Sequence, residues 1–127
     1  MPAQKLLILH ACLSLLLNLF LVASVNAQPG VEPVLEYFSL VDGLSQAHIN
    51  DIIQDSRGFI WLATLDGLNR YDGYTFRTYR FDPQDPFSLS SNSGWDLCQD
   101  RFGMIWVGTD GGGLNCYNPA DERFISY

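Results

Sequence analysis

Four carboxylates, Asp51, Asp55, Asp96 and Asp100, stand where acid and base chemistry would need them if two faced a single bond, the arrangement a glycosidase requires. They recur, however, as two equivalent sets, Asp51 with Asp96 and Asp55 with Asp100, each 45 residues apart. Catalytic pairs are not normally duplicated together with their scaffold, so a role at turns and strand ends is expected for all four. Asp110-Gly111-Gly112-Gly113 lacks the Lys-Ser/Thr of a phosphate loop and the alternating oxygens of a calcium loop, and reads as a hairpin turn. His48 is the only histidine beyond residue 27, which gives little support to a metal site or a His-based dyad. No catalytic, cofactor-binding or metal-binding residue is therefore expected. Among the aromatics, Trp61 and Trp106 are flanked by apolar residues and belong to a core. Trp95 replaces Asn50 of the equivalent position and is the candidate for a ligand or partner surface.

The elements carrying these residues come from an internal repeat. Leu44-Ser45 recurs as Leu89-Ser90, Gln54-Asp55 as Gln99-Asp100, Gly58 as Gly103, and Ile60-Trp61 as Ile105-Trp106. One extra glycine moves the match to 46, where Gly67-Leu68-Asn69 meets Gly113-Leu114-Asn115, and a longer turn moves it to 48, where Phe76 meets Phe124 and Tyr79 meets Tyr127. Identity at glycine, tryptophan and aspartate, with length changes confined to turns, marks a duplicated structural unit, and periods of about 40 to 50 are those of propeller blades. Four strands are predicted in the first unit: 49–54, 59–64, 68–71 and 75–79. Asp55-Ser56-Arg57-Gly58 and Asp100-Arg101-Phe102-Gly103 carry Asp first and Gly fourth, as a type I turn prefers, and Asp72-Gly73 signals a two-residue hairpin.

The second strand of each unit, Phe59-Ile60-Trp61-Leu62-Ala63 and Met104-Ile105-Trp106-Val107-Gly108, is apolar on both faces instead of alternating. Such strands are covered on both sides. The expected fold is therefore all-β: two four-stranded antiparallel β-propeller blades of a larger propeller, stacked face to face. The expected divisions are 1–27 as a signal peptide, 28–43 as linker and lone closing strand, 44–81 as blade 1 and 82–127 as blade 2. Leu35 to Phe38 resembles a fourth strand that completes a blade from elsewhere.

Lys5 precedes a run of almost wholly apolar residues to Val22, and Val25-Asn26-Ala27 supplies a small-residue exit ahead of Gln28, the three parts of a signal peptide. An uncleaved membrane anchor is the competing reading. Export would place the product in the periplasm or outside the cell. Beyond residue 27, fourteen acidic residues face six arginines and no lysine, leaving a charge of −8, which excludes a nucleic-acid partner on electrostatic grounds. Cys98 and Cys116 would lie on strands separated by a third, too far apart for a disulfide, and read as buried small apolar groups.

With the motifs Gly43-Leu44-Ser45-Gln46, Gln54-Asp55-Ser56-Arg57-Gly58-Phe59-Ile60-Trp61-Leu62-Ala63-Thr64 and Gly67-Leu68-Asn69-Arg70-Tyr71, the chain resembles the two-component regulator propeller repeat. The second copy, through Asp100, Gly103, Ile105-Trp106-Val107-Gly108-Thr109 and Gly113-Leu114-Asn115, resembles it more closely. The signature residues are thus Asp55, Gly58, Trp61, Thr64 and Gly67, with Asp100, Gly103, Trp106, Thr109 and Gly113. The resemblance implies the ligand-sensing extracytoplasmic portion of a receptor, an N-terminal fragment truncated before its membrane helix and its histidine kinase or diguanylate cyclase. It also implies an oligosaccharide or other small ligand, further blades or other chains as partners, no cofactor, and contact with a membrane only through a downstream helix or an uncleaved leader. The alternatives are a secreted scaffold or interaction protein and, with less support, a fragment of a glycan-active enzyme.

Overall fold

The structure is a computed structural model that describes residues 35–127, and the expected signal peptide lies outside the described residues. Residues 36–127 form one compact unit. It holds a short capped turn, Leu40–Asp42, and eight strands: β1 Ile49–Gln54, β2 Ile60–Thr64, β3 Gly67–Tyr71, β4 Phe76–Tyr79, β5 Gly94–Gln99, β6 Ile105–Thr109, β7 Gly113–Asn118 and β8 Arg123–Ser126. They make two four-stranded antiparallel meanders, β1-β2-β3-β4 and β5-β6-β7-β8. The predicted strands agree with β1–β4 to within one residue at each end. The turn Asp110 to Gly112 joins β6 to β7 as a hairpin. The Asp72-Gly73 turn is longer than a two-residue hairpin. Residues 72–75 connect β3 to β4, because the Asp72 carboxylate caps the loop by accepting the backbone N–H groups of Tyr74 and Thr75 at 2.8 and 2.7 Å.

The aspartates shape the first turn of each sheet. Asp55 Oδ1 accepts the backbone N–H groups of Arg57 and Phe59 at 2.9 and 3.0 Å, while Oδ2 accepts the Trp61 indole N–H at 2.9 Å. Asp100 repeats the arrangement with Phe102, Met104 and Trp106 at 2.8, 3.0 and 3.0 Å. One carboxylate thus closes a turn and fixes the rotamer of the tryptophan six residues on. Gly58 and Gly103 end these turns at φ of 91° and 83°, where a side chain would be strained. At the other end of the second strand, the Thr64 hydroxyl donates to the Gly67 carbonyl at 2.7 Å, and Thr109 does the same to Gly113 at 2.9 Å. The leading loop of each blade is tied down by buried Asn69 and Asn115, whose side chains exchange hydrogen bonds with Ser45 and Ser90.

Side chains in register share a face, which sorts each sheet into two surfaces. On blade 1, Ile53, Trp61, Arg70 and Arg77 form one row and Asp51, Ala63, Leu68 and Tyr79 the next. This surface meets the blade 2 surface that carries Leu97, Ile105, Val107, Tyr117 and Phe124, and together they form the core. Trp61 crosses Tyr117 edge-on at 5.0 Å, and Tyr79 lies 5.4 Å from both Tyr117 and Phe124. The blades meet where β5 lies against both β1 and β2, and a methyl group on Gly94 would meet the Ala63 side chain of β2 at 3.3 Å. β1 and β5 are therefore the inner strands, and the sheets fan outward from them.

Burial on both faces, expected for each Trp-bearing strand, holds for β2 and only in part for β6. Trp61 is wholly buried, whereas Trp106 is half-buried. The reason is that the Trp face of a blade is covered by the next blade, and blade 2 has no successor among the described residues. Cys98, expected to be buried, is exposed on that same face, while Cys116 is buried. The two flank Trp106 in one register row, two strand spacings apart, and both thiols are free.

Two substitutions probe this packing. Trp61→Ala should lower the unfolding free energy by about 3–5 kcal/mol, and Trp106→Ala by less, since both lose the same carboxylate bond and only Trp61 is fully packed; urea titration separates them. The Trp106 indole donor, joined by backbone N–H groups and outweighing the opposing effect of burial, holds the Asp100 carboxyl below its ordinary value. A carboxyl depressed in the folded state stabilises fully above its unfolded pKa of about 3.9 and stops doing so as pH falls through the folded value. Asp100→Asn should therefore flatten the fall of the urea midpoint below that pH, and an unchanged acid limb would contradict the clasp.

Candidate functional site

The outer face of blade 2 contains a shallow cavity of about 170 Å³ lined by Asp96, Leu97, Cys98, Trp106, Gly108 and Leu114. Repeat equivalence identifies what fills such a cavity. In blade 1 the corresponding surface is occupied by blade 2: Asp51 Oδ2 accepts the Leu97 backbone N–H at 2.8 Å, the Asn50 amide donates to the Gly94 carbonyl at 2.7 Å, and Tyr117 packs on Trp61. The cavity is the repeat equivalent of the surface that blade 2 covers in blade 1, and Asp96, the counterpart of Asp51, is exposed in its wall. Trp106 and Cys98 in its wall are thereby explained by packing.

The four aspartates do not converge on one centre. Asp55 and Asp100 are committed to turn N–H groups and indoles, and Asp51 is committed to the neighbouring blade. His48 is exposed just ahead of β1, and among the described residues no group of three His, Cys, Asp or Glu side chains is placed to hold a metal ion. The remaining signature residues lie in the connections: Gly58 and Gly103 end the first turns, and Thr64 with Gly67 and Thr109 with Gly113 close the second. A side chain on Gly67 or Gly113 would strike the carbonyl oxygen of Tyr79 or Tyr127 at 2.5 and 2.6 Å.

Trp95 is the exception to this pattern. It sits on inner strand β5 where the register shifts between Gly94 and Asp96, and 53% of it is exposed. The bulge turns this position out of the alternation. Asn50, at the matching bulge in β1, spends its amide on the adjacent blade. Trp95 places a wide, largely apolar ring at the inner edge of the sheet instead.

A second hollow, of about 270 Å³, lies on the outer edge between β4 and the loop that leads into blade 2, with Arg77, Arg80, Asp82, Asp85 and Glu122 among its walls. Its charges are largely paired. Arg77 meets Glu122 at 2.7 Å, Arg70 meets Glu122 at 3.4 Å, and Arg80 meets Asp66 at 3.0 Å. Arg77 holds the Glu122 carboxyl below its ordinary range, with Arg70 adding to it. Burial, then the Tyr117 hydroxyl 3.2 Å away, pushes the Tyr79 phenol upward. The arrangement is an inter-blade ionic seam. Sequence comparison of the two units misses it because Arg77 and Glu122 are not repeat-equivalent.

Known proteins share this construction. The two-component regulator propeller model matches residues 43–66 and 88–111. A histidine kinase P4 of Formosa agariphila is 46% identical over 77 residues, covering 61% of this chain and 6% of the relative. The extracellular domain of a hybrid two-component system from B. thetaiotaomicron superposes with a TM-score of 0.67 at 34% identity, covering 72% of this chain and 13% of that one. The chain thus spans a small part of either relative. Among the described residues no helix is long and apolar enough to cross a membrane. Two stacked four-stranded blades, each built on the same Asp-turn-Trp unit and each matched in part by that model, are thus similar to two-component regulator propeller repeats.

Proposed function

We propose that this chain is the extracytoplasmic, ligand-sensing portion of a two-component receptor, exported by its N-terminal leader and placed ahead of a membrane helix and an output domain. Support comes from the histidine kinase relative and from the neighbour, itself the extracellular domain of a hybrid two-component system. The acidic balance suits a soluble exported domain and repels phosphate backbones.

The observation that carries a binding role is Trp95. It breaks the repeat, sits at the bulge of the inner strand and is 53% exposed among the described residues. Exposed aromatic rings flanked by polar groups suit ligands with one apolar face, and a pyranose ring of an oligosaccharide has such a face. In this reading the blade scaffold is invariant and the bulge position carries the specificity.

The experiment is a fluorescence titration of the chain with a panel of soluble oligosaccharides, comparing wild type with Trp95→Ala. A binder in the panel should lose at least about tenfold in affinity, or about 1.4 kcal/mol, while the urea midpoint stays put. Binding unaffected by Trp95→Ala would remove this residue from the site, and a panel without any binder would remove the oligosaccharide class.

A further inference from the structure

The first turns of the two blades and the turn that joins β7 to β8 surround a hollow of about 290 Å³, at the end of the blade pair where β1 and β5 finish. Gln99 ties the first turns together: its side-chain carbonyl accepts the Ser56 backbone N–H at 2.8 Å, and its amide donates to the Ser56 hydroxyl at 3.2 Å. The hollow is thus formed in advance, which spares a ligand the cost of ordering it. Phe102, Met104 and Pro119 give it apolar wall, and Arg57 gives it a positive charge. No carboxylate lines it, although acidic residues outnumber lysine and arginine by 14 to 7 in this sequence.

Arg57 and Phe102 are repeat-equivalent, each two residues beyond its turn aspartate, yet they differ in type. The tip of a first turn stays open even with a neighbouring blade in place: the Arg57 side chain is 42% exposed although blade 2 packs beside blade 1, and Phe102 is 75% exposed. Both oxygens of Asp55 are spent on the turn and the indole, and the Arg57 guanidinium approaches that carboxylate only to 3.6 Å, beyond hydrogen-bond length. Asn118 spends its side-chain carbonyl on the Ala120 N–H at 3.0 Å, while its amide N–H groups have no partner among the described residues. The polar groups left over are donors, and they stand beside an open aromatic ring.

We propose that this hollow binds a small aromatic carboxylate, the ring lying on Phe102 and the carboxylate meeting the Arg57 guanidinium and the Asn118 amide. Aromatic rings pair favourably with one another and with a thioether such as that of Met104, and a guanidinium is suited to a carboxylate. The volume lies at the lower end of ligand pockets, which selects a single-ring compound. Trp95 stands at the start of β5, and the hollow lies past the end of that strand, about 17 Å along it at a rise of about 3.4 Å per residue. The site is therefore separate from the sensing surface proposed above and independent of it.

Saturation-transfer NMR of phenylacetate with the full chain tests this, with phenylacetamide as the neutral counterpart and cyclohexylacetate as the non-aromatic one. Phenylacetate should bind, and both counterparts should bind more weakly. Phe102→Ser and Arg57→Gln should each weaken phenylacetate by about tenfold, and Trp95→Ala should leave its affinity unchanged. No transfer from wild type, equal binding of either counterpart, full affinity in either turn variant, or loss of binding in Trp95→Ala would each overturn the proposal. If Arg57→Gln fails to fold by circular dichroism, Arg57→Met takes its place, and Phe102→Ser, at an exposed turn tip, tests the ring contact by itself.

Discussion

The structure depends on one carboxylate used twice over: once to close a turn, and once to hold a tryptophan. Asp55 satisfies two backbone donors of the turn and the indole N–H of Trp61 with its two oxygens, and it is almost wholly buried. A buried carboxylate without partners would be costly, and an indole without an acceptor would leave a donor unsatisfied in the core. Joined, they let the largest side chain of the blade lie flat in a single rotamer against the next sheet. Among the described residues no buried side-chain polar atom lacks a partner, so the polar parts of the repeat act as fasteners for an apolar interface.

Stacking then propagates from blade to blade. The Trp surface of one sheet and the Tyr-Phe surface of the next differ in composition, which gives the stack a direction. Trp61 meets Tyr117, Tyr79 meets Phe124, and the reverse pairing occurs nowhere in the described interface. A directional interface between like units leaves one unmatched surface of each kind at the ends, and stability in such arrays is shared between each unit and its contacts with neighbours. Half-buried Trp106 and exposed Ile52 are the two ends of that pattern.

Most of this architecture is legible in the order of residues alone. The 45-residue recurrence locates both sheets, and the double-sided apolar strand locates their mutual faces, since each is a property of consecutive residues. The Asp72-Gly73 loop departs from its dipeptide signal because its length is set by a side chain folding back on Tyr74 and Thr75, which dipeptide preference does not record. Exposure of Cys98 and Trp106 escapes the sequence for a different reason. Residue type reports the environment a strand is built for, whereas exposure depends on how many neighbours are present. The Arg70, Arg77 and Glu122 seam leaves no trace in the repeat because its members come from non-equivalent places.

The same logic separates scaffold from specificity. Many positions at which the two copies agree have a mechanical use: Asp55, Asp100 and the glycines for turns, Thr and Asn for ties, Trp and Leu for the interface. A residue that departs from its counterpart outside the turns and hairpin ties is free to answer to something outside the blade. Asn50 and Trp95 are such a pair, at matching bulges on the inner strands, where one donates to the adjacent blade and the other holds out an uncovered ring. Because a bulge removes its residue from the alternation of the sheet, exchange at that point costs the blade little. Recognition can therefore vary there from blade to blade while the clasp that builds each blade remains the same.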